Sequence, residues 1–156
     1  MSKLALVLAL AASAPTLAHA RDASRDAVSC SVDVGAFDAS GRLRPARRVS
    51  ASVAPVVVFR GSVSKQDDET PTPQLLFDVF NPRGQRYQVL VANPLVITKE
   101  RRGQRVERVS RFREATLAVA GSSIAWTSMY GRWRVEPRIE GTQRRCGRPE
   151  FFTIRP

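Results

Sequence analysis

Histidine is almost missing from this sequence: among 156 residues there is one, His19. It sits at the end of a leader in which Lys3 supplies a positive charge and Leu4 to Ala12 form an apolar run. Ala18-His19-Ala20 then gives a small-x-small cleavage motif ahead of Arg21-Asp22. The pattern predicts a signal peptide over residues 1–20, cleaved after Ala20, and hence an exported protein of the periplasm or the extracellular space. The apolar run is well short of the ~20 residues that cross a bilayer, so no transmembrane span is expected after processing. Cleavage would leave no imidazole, the side chain whose unperturbed pKa lies nearest neutrality. On that reading Ser-His-Asp and Cys-His catalysis are excluded, and so are histidine-based zinc sites.

Cysteine is scarce as well. Ala27-Val28-Ser29-Cys30 has the look of a lipoprotein processing site, but the charged stretch 21–26 separates it from the apolar run, so lipidation is not expected. Cys30 and Cys146 are the only two cysteines, and an even count in an exported chain favours one disulfide. Without a CxxC or a nearby histidine, a reactive or metal-bound thiol pair is not expected. Other signatures are absent too: there is no Walker loop, no GxGxxG and no GxSxG. Asp67-Asp68-Glu69 lacks the D-x-[DN]-x-[DN]-G calcium pattern and lies among prolines, which predicts a solvated loop over residues 66–73. A single domain of this size also offers little cleft for the paired carboxylates of glycoside hydrolysis. The expectation is a non-enzymatic protein with no cofactor, no metal and no small-molecule substrate.

What the sequence does have is period-two alternation. Val28, Cys30, Val32 and Val34 alternate with polar residues, and Asp38-Ala39-Ser40-Gly41 reads as a turn. Arg42 to Arg48, with Pro45 inside it, is expected to hold no strong element. Val56 to Val63 reads as a second strand. Leu75, Phe77 and Val79, then Asn81-Pro82-Arg83-Gly84, then Tyr87, Val89 and Val91 form the clearest hairpin. Leu95-Val96-Ile97 suits a further strand. Residues 99–114 are read as strand-like or irregular, although Val106, Val109 and Phe112 at spacing three also suit a short helix. Leu117 and Val119 belong to a strand that stops at Gly121. Gly131 to Glu136 is another, with Trp133 and Val135 inward and Arg132 and Arg134 outward, and Phe151 to Ile154 is the last.

About seven short strands separated by turn residues predict an all-β, antiparallel, immunoglobulin-like β-sandwich preceded by a cleaved signal peptide. Helices of the length a parallel α/β fold would need are not evident. The expected organisation is a leader at 1–20, a flexible mature N-terminus at 21–27 and one sandwich domain at 28–156. Cys30 and Cys146 would pair if the two terminal strands are neighbours, as an edge staple distinct from the inter-sheet bridge of antibody domains.

The final third resembles a known class of domain. Thr116 to Ile124, Tyr130-Gly131-Arg132-Trp133-Arg134-Val135 and Phe151-Phe152-Thr153-Ile154 are similar to the end of bacterial extracytoplasmic immunoglobulin-like or macroglobulin-like domains. In those, a Gly-x-aromatic-x-Val strand precedes a closing Phe-x-x-Ile-type strand. The resemblance implies a fold and a compartment and transfers no catalytic residues, because such domains bind, space or scaffold.

The charge balance, 25 Lys and Arg against 14 Asp and Glu, raises a second possibility. The basic residues cluster at Arg44, Arg47 and Arg48, then at Arg101, Arg102, Arg105, Arg108, Arg111 and Arg113, and again at Arg132, Arg134, Arg144 and Arg145. Guanidinium groups bind phosphate and carboxylate in a bidentate way and stay charged at any relevant pH. If the clusters share a face, they would attract lipopolysaccharide, acidic polysaccharide, anionic lipid or extracellular nucleic acid. If they scatter, they only decorate a solvated surface. Phe112 and Trp133, flanked by arginines, fit the inward side of strands. Trp126 and Tyr130, in the 122–130 connection, are the candidate exposed aromatics, and at least one of them is expected to cap the sandwich core. Two functions therefore stand: an exported module that binds a protein partner or assists envelope assembly, or a binder of anionic surface polymers.

Overall fold

The computed structural model describes residues 28–64, 72–101 and 104–156. The predicted leader and the 21–27 segment lie outside them, as do Arg102 and the Asp67-Asp68-Glu69 cluster. Among the described residues ten strands form: β1 (Ser29–Phe37), β2 (Leu43–Pro45), β3 (Arg48–Ser50), β4 (Val56–Ser64), β5 (Leu75–Phe80), β6 (Arg86–Val91), β7 (Asn93–Arg101), β8 (Gln104–Ala118), β9 (Gly131–Ile139) and β10 (Glu150–Arg155). One helical turn, α1 (Ser123–Trp126), joins β8 to β9.

The strands make two five-stranded sheets. The first has the order β2-β1-β4-β8-β7 and the second the order β3-β10-β9-β5-β6. Every named pairing is antiparallel except β3 with β10. The strand count exceeds the seven or so expected from sequence. The main additions are β2, inside the Arg42–Arg48 connection where no strong element is expected, and β3, which starts at its end; each has three residues. Pro45 is tolerated there because β2 is an edge strand. Residues 99–101 and 104–114 are strand, since β8 pairs with β7 from Gln104 to Glu114 and with β4 from Phe112 to Ala118.

Local chemistry sets the turns. Asp38 closes the β1–β2 connection: its Oδ1 accepts from Ser40 N, Ser40 Oγ and Arg42 N at 2.9, 2.6 and 2.9 Å, and its Oδ2 accepts from Arg44 Nε at 3.0 Å. These bonds, led by the Ser40 hydroxyl, lower the Asp38 carboxyl to a pKa of about 2. Asn81 does the same for the β5–β6 hairpin, its Oδ1 accepting from the amides of Arg83 and Gln85 at 2.9 and 3.1 Å. Ser122 caps α1 by accepting from Ile124 N at 3.2 Å. That turn drives Ile124 fully into the core and leaves Trp126 82% exposed.

Between the sheets the inward residues of both layers interleave. Phe59 of β4 meets Phe77 of β5 and Phe152 of β10 edge-on, with ring centroids 5.9 and 5.5 Å apart. Trp133 is fully buried, 6.2 Å from Phe152 and 5.2 Å from Tyr87, and its Nε1 donates to Met129 O at 3.0 Å. Gly61 is required on the inward face of β4, because a Cβ there would lie 2.6 Å from Ser31 O and 2.9 Å from both Leu75 and Phe77.

Cys30 and Cys146 are joined by a disulfide across 116 residues. The expected neighbourhood of the terminal strands is not what brings them together. β1 belongs to the first sheet and β10 to the second, so the bond ties β1 to the β9–β10 connection and links the two layers. Cys30 N also donates to Cys146 O at 2.9 Å. Beside them, a Cβ on Gly147 would overlap the Cys30 carbonyl, so only glycine lets the chain pass there.

Candidate functional site

Strand register decides which arginines meet. On the outer face of the second sheet, cross-strand partners form rows. One row reads Arg48–Thr153–Arg132, and the next reads Phe151–Arg134–Phe80–Arg86. Beyond them come Glu136–Asp78–Val89 and then Arg138–Leu76–Val91. Arginines from three strands, β3, β9 and β6, therefore share this surface with a strip of aromatic and aliphatic side chains. Carboxylates among these rows are limited to Asp78 and Glu136.

The guanidinium groups divide by partner. Arg138 is held by Asp78, which is buried: Nε donates to Oδ2 at 2.7 Å and Nη2 to Oδ1 at 3.3 Å. The hydrogen bonds to Asp78 push the Arg138 pKa above its ordinary value, and Nη1 also donates to Thr142 O at 2.9 Å. This is a structural clamp, with Arg86 3.9 Å from the same carboxylate. Arg132 and Arg134 are placed differently. Arg132 lies over the Phe151 ring at 4.2 Å and Arg134 over the Phe80 ring at 4.3 Å. Arg134 Nε approaches Glu136 Oε1 to 3.2 Å without making a hydrogen bond. Among the described residues, Arg132 and Arg48 have no carboxylate partner. Each stack is worth about 0.5–1 kcal/mol at an exposed site; Arg132 is exposed and keeps its donors available, whereas Arg134 Nε is buried beside Glu136. A shallow cavity of about 220 Å³ opens here, between the two stacks and the Asn81–Gly84 turn.

The remaining sequence candidates go elsewhere. Arg44 is engaged with Asp38. Arg47 lines a hollow of about 350 Å³ at the β1–β2 edge that also contains Asp33, Arg44, Arg60 and Glu150. Its charges are mixed, and Arg60 is already paired with Glu114. Arg101, Arg105, Arg108, Arg111 and Arg113 belong to the β7–β8 ribbon, at the far side of the first sheet. Arg111 covers Phe112 at 5.0 Å, and Arg113 donates to Thr72 O at 3.3 Å. Arg144 and Arg145 are exposed on the β9–β10 connection, where Arg145 lies 3.6 Å from Glu136. The three sequence clusters thus do not converge on one face. Arg48, Arg132 and Arg134 do, joined by Arg86, Arg138 and Arg155, which the sequence reading did not single out. Trp126 is exposed as expected, whereas Tyr130 is half-buried and packs against the core, because Tyr130 N is tied back to Ser128 O at 2.7 Å.

Among the described residues no group of three or more histidine, cysteine or acidic side chains is placed to hold a metal. None of the helices there is long and apolar enough to cross a membrane. What the arrangement can do is hydrogen-bond carboxylates or phosphates while presenting apolar area. Comparison of the chain with protein-family models, with curated proteins and with solved structures finds no match in any of the three.

Proposed function

We propose that the protein is an exported, non-enzymatic, immunoglobulin-like module of the cell envelope. It docks a protein partner on the outer face of its second sheet. The immunoglobulin-like reading is supported by the strand order, in which β1, β4, β8 and β7 form one layer and β10, β9, β5 and β6 the other. The leader pattern and the cysteine pair support export. The observation that carries the docking reading is the pair of stacked arginines, Arg132 on Phe151 and Arg134 on Phe80. Protein interfaces are enriched in arginine and aromatic residues and depleted in lysine and carboxylates, and this face has that composition. Its partner carries acidic groups flanked by apolar ones.

The competing function, binding of anionic surface polymers, needs many arginines on one track to give tight, steeply salt-dependent binding. Here the arginines split between the second sheet and the β7–β8 ribbon. Capture from an envelope extract at moderate salt tests the reading. The expected result is a discrete protein retained by the wild type and lost from an Arg132→Glu, Arg134→Glu variant. Recovery of no protein, with retention on heparin or lipopolysaccharide until high salt, would overturn it in favour of the polymer.

A further inference from the structure

The open edges of the two sheets are not equally protected. An edge strand offers unpaired N–H and C=O groups to any extended chain, and proteins blunt that hazard with short strands, proline, lysine or bulges. β2 and β3 are three residues each, and β2 ends in Pro45. β7 contains Pro94 and Lys99 and has an irregular register between Pro94 and Val96. β6 has none of these devices along its last four residues. It is six residues long, holds no proline or lysine, and its register shift is confined to the level of Val79 and Phe80.

Backbone direction sharpens the contrast. Ala92 N donates to Leu75 O at 2.9 Å, so in an antiparallel ladder the amides of Leu90 and Gln88 also face β5. Those of Val91 and Val89, at the alternate positions, face away from the sheet. The same two residues expose their side chains on the outer face, Val89 at 40% and Val91 at 54%. Arg86 ends the row that contains the Arg134–Phe80 stack. Because Asp78 is committed to Arg138 at 2.7 Å and lies 3.9 Å from Arg86, the Arg86 fork keeps donors for an incoming carboxylate.

Resting on the docking reading above, we infer that β6 is a strand-addition edge. The element that adds to it is an extended segment of the partner protein, acidic beside Arg86 and apolar beside Val89 and Val91. Main-chain bonds to the two outward amides supply affinity, and the alternate side chains extend the existing rows and supply specificity. Charge selects a partner over a second copy, since another copy would bring its own Arg86 and its own large excess of arginine over carboxylates.

The probe is a synthetic peptide of pattern Glu-Thr-Val-Thr-Val with neutral ends, beside a scrambled peptide of the same composition. It is titrated into the full disulfide-bonded chain while amide exchange is followed by NMR. The expected result is saturable binding with slowed exchange at Val89 and Val91, and binding roughly tenfold or more weaker for the scrambled peptide. Val89→Pro removes an outward amide that no strand of the sheet uses, so its melting temperature should stay near that of the wild type while peptide binding falls by a similar factor. Val91→Pro serves if Val89→Pro does not fold. No binding, or binding that leaves the Val89 and Val91 amides unprotected, overturns the edge assignment. Loss of partner capture in the Arg132→Glu, Arg134→Glu variant is read independently, so the face can stand while the edge falls.

Discussion

The two sheets turn outward with the same alternation and different chemistry. On the first, Ser31 and Ser62 share a hydrogen bond of 2.9 Å, and Asp33, Arg60 and Glu114 form a row in which Arg60 is closed by Glu114. On the second, arginines stand over phenylalanines, and the sole buried carboxylate, Asp78, is spent on Arg138. Arginine on a strand thus says little about function until its cross-strand neighbour is known. Beside a carboxylate it is neutralised surface. Beside a ring and away from a carboxylate, as Arg132 is on Phe151, it keeps its donors exposed.

The comparison can be tested by removing what holds each layer. The largest effect is expected from the bond that links them. Replacing both cysteines by serine should lower unfolding free energy by roughly 4–5 kcal/mol, the chain-entropy figure for a loop of this length. Denaturant melts with and without reductant measure it, and thiol titration of the denatured, unreduced wild type should find no free thiol. Asp78→Ala should cost about 3–5 kcal/mol, because it leaves the Arg138 guanidinium largely buried without its partner. Restoration of most of that loss by the pair Asp78→Leu, Arg138→Met would show the clamp to be structural, not part of the docking site. Gly61→Ala should cost about 1–3 kcal/mol by forcing Leu75 and Phe77 apart from β4.

Smaller effects are expected on the first sheet's exterior. Arg60→Ala should change stability by about 0–1 kcal/mol, since the pair with Glu114 is partly solvated, and should leave partner capture intact. A loss of capture there would erase the distinction between the faces. Asp38 gives the smallest signal and a defined pH window. Its folded pKa of about 2 lies below the ordinary 3.8, so its contribution is complete above 3.8 and is lost as pH falls toward 2. Asp38→Asn should flatten the stability profile across that window and lower stability at neutral pH, where the wild type keeps the full contribution.

Much of the architecture was legible because alternation is a local property. The β5–β6 hairpin, the inward Trp133 and Val135, and the pairing of Cys30 with Cys146 could be read from spacing and count. Strand neighbours are not local. Nothing in the order of residues says that Arg132 sits beside Arg48 through Thr153, or that Phe80 meets Arg134, because those rows arise from β3, β10, β9 and β5 arriving from distant parts of the chain. Arg86 is a single arginine outside the dense clusters, and Arg138, inside the span of the third cluster, is distinguished from its neighbours only by its partner Asp78. The clusters that drew attention were sequence runs, and a run on a strand sends alternate residues to opposite faces. Of the two aromatics in the 122–130 connection, at least one of which is expected to cap the core, Tyr130 packs on the core and Trp126 stays exposed.

Site-specific photo-crosslinking in the cells that produce the protein is the most direct test of the central claim. A crosslinking residue at Phe151 or Val89, on the second sheet, should trap a discrete protein partner, and one at Thr116, exposed on the first sheet, should trap none. Equal products from both faces, or products from Thr116 alone, would contradict the account.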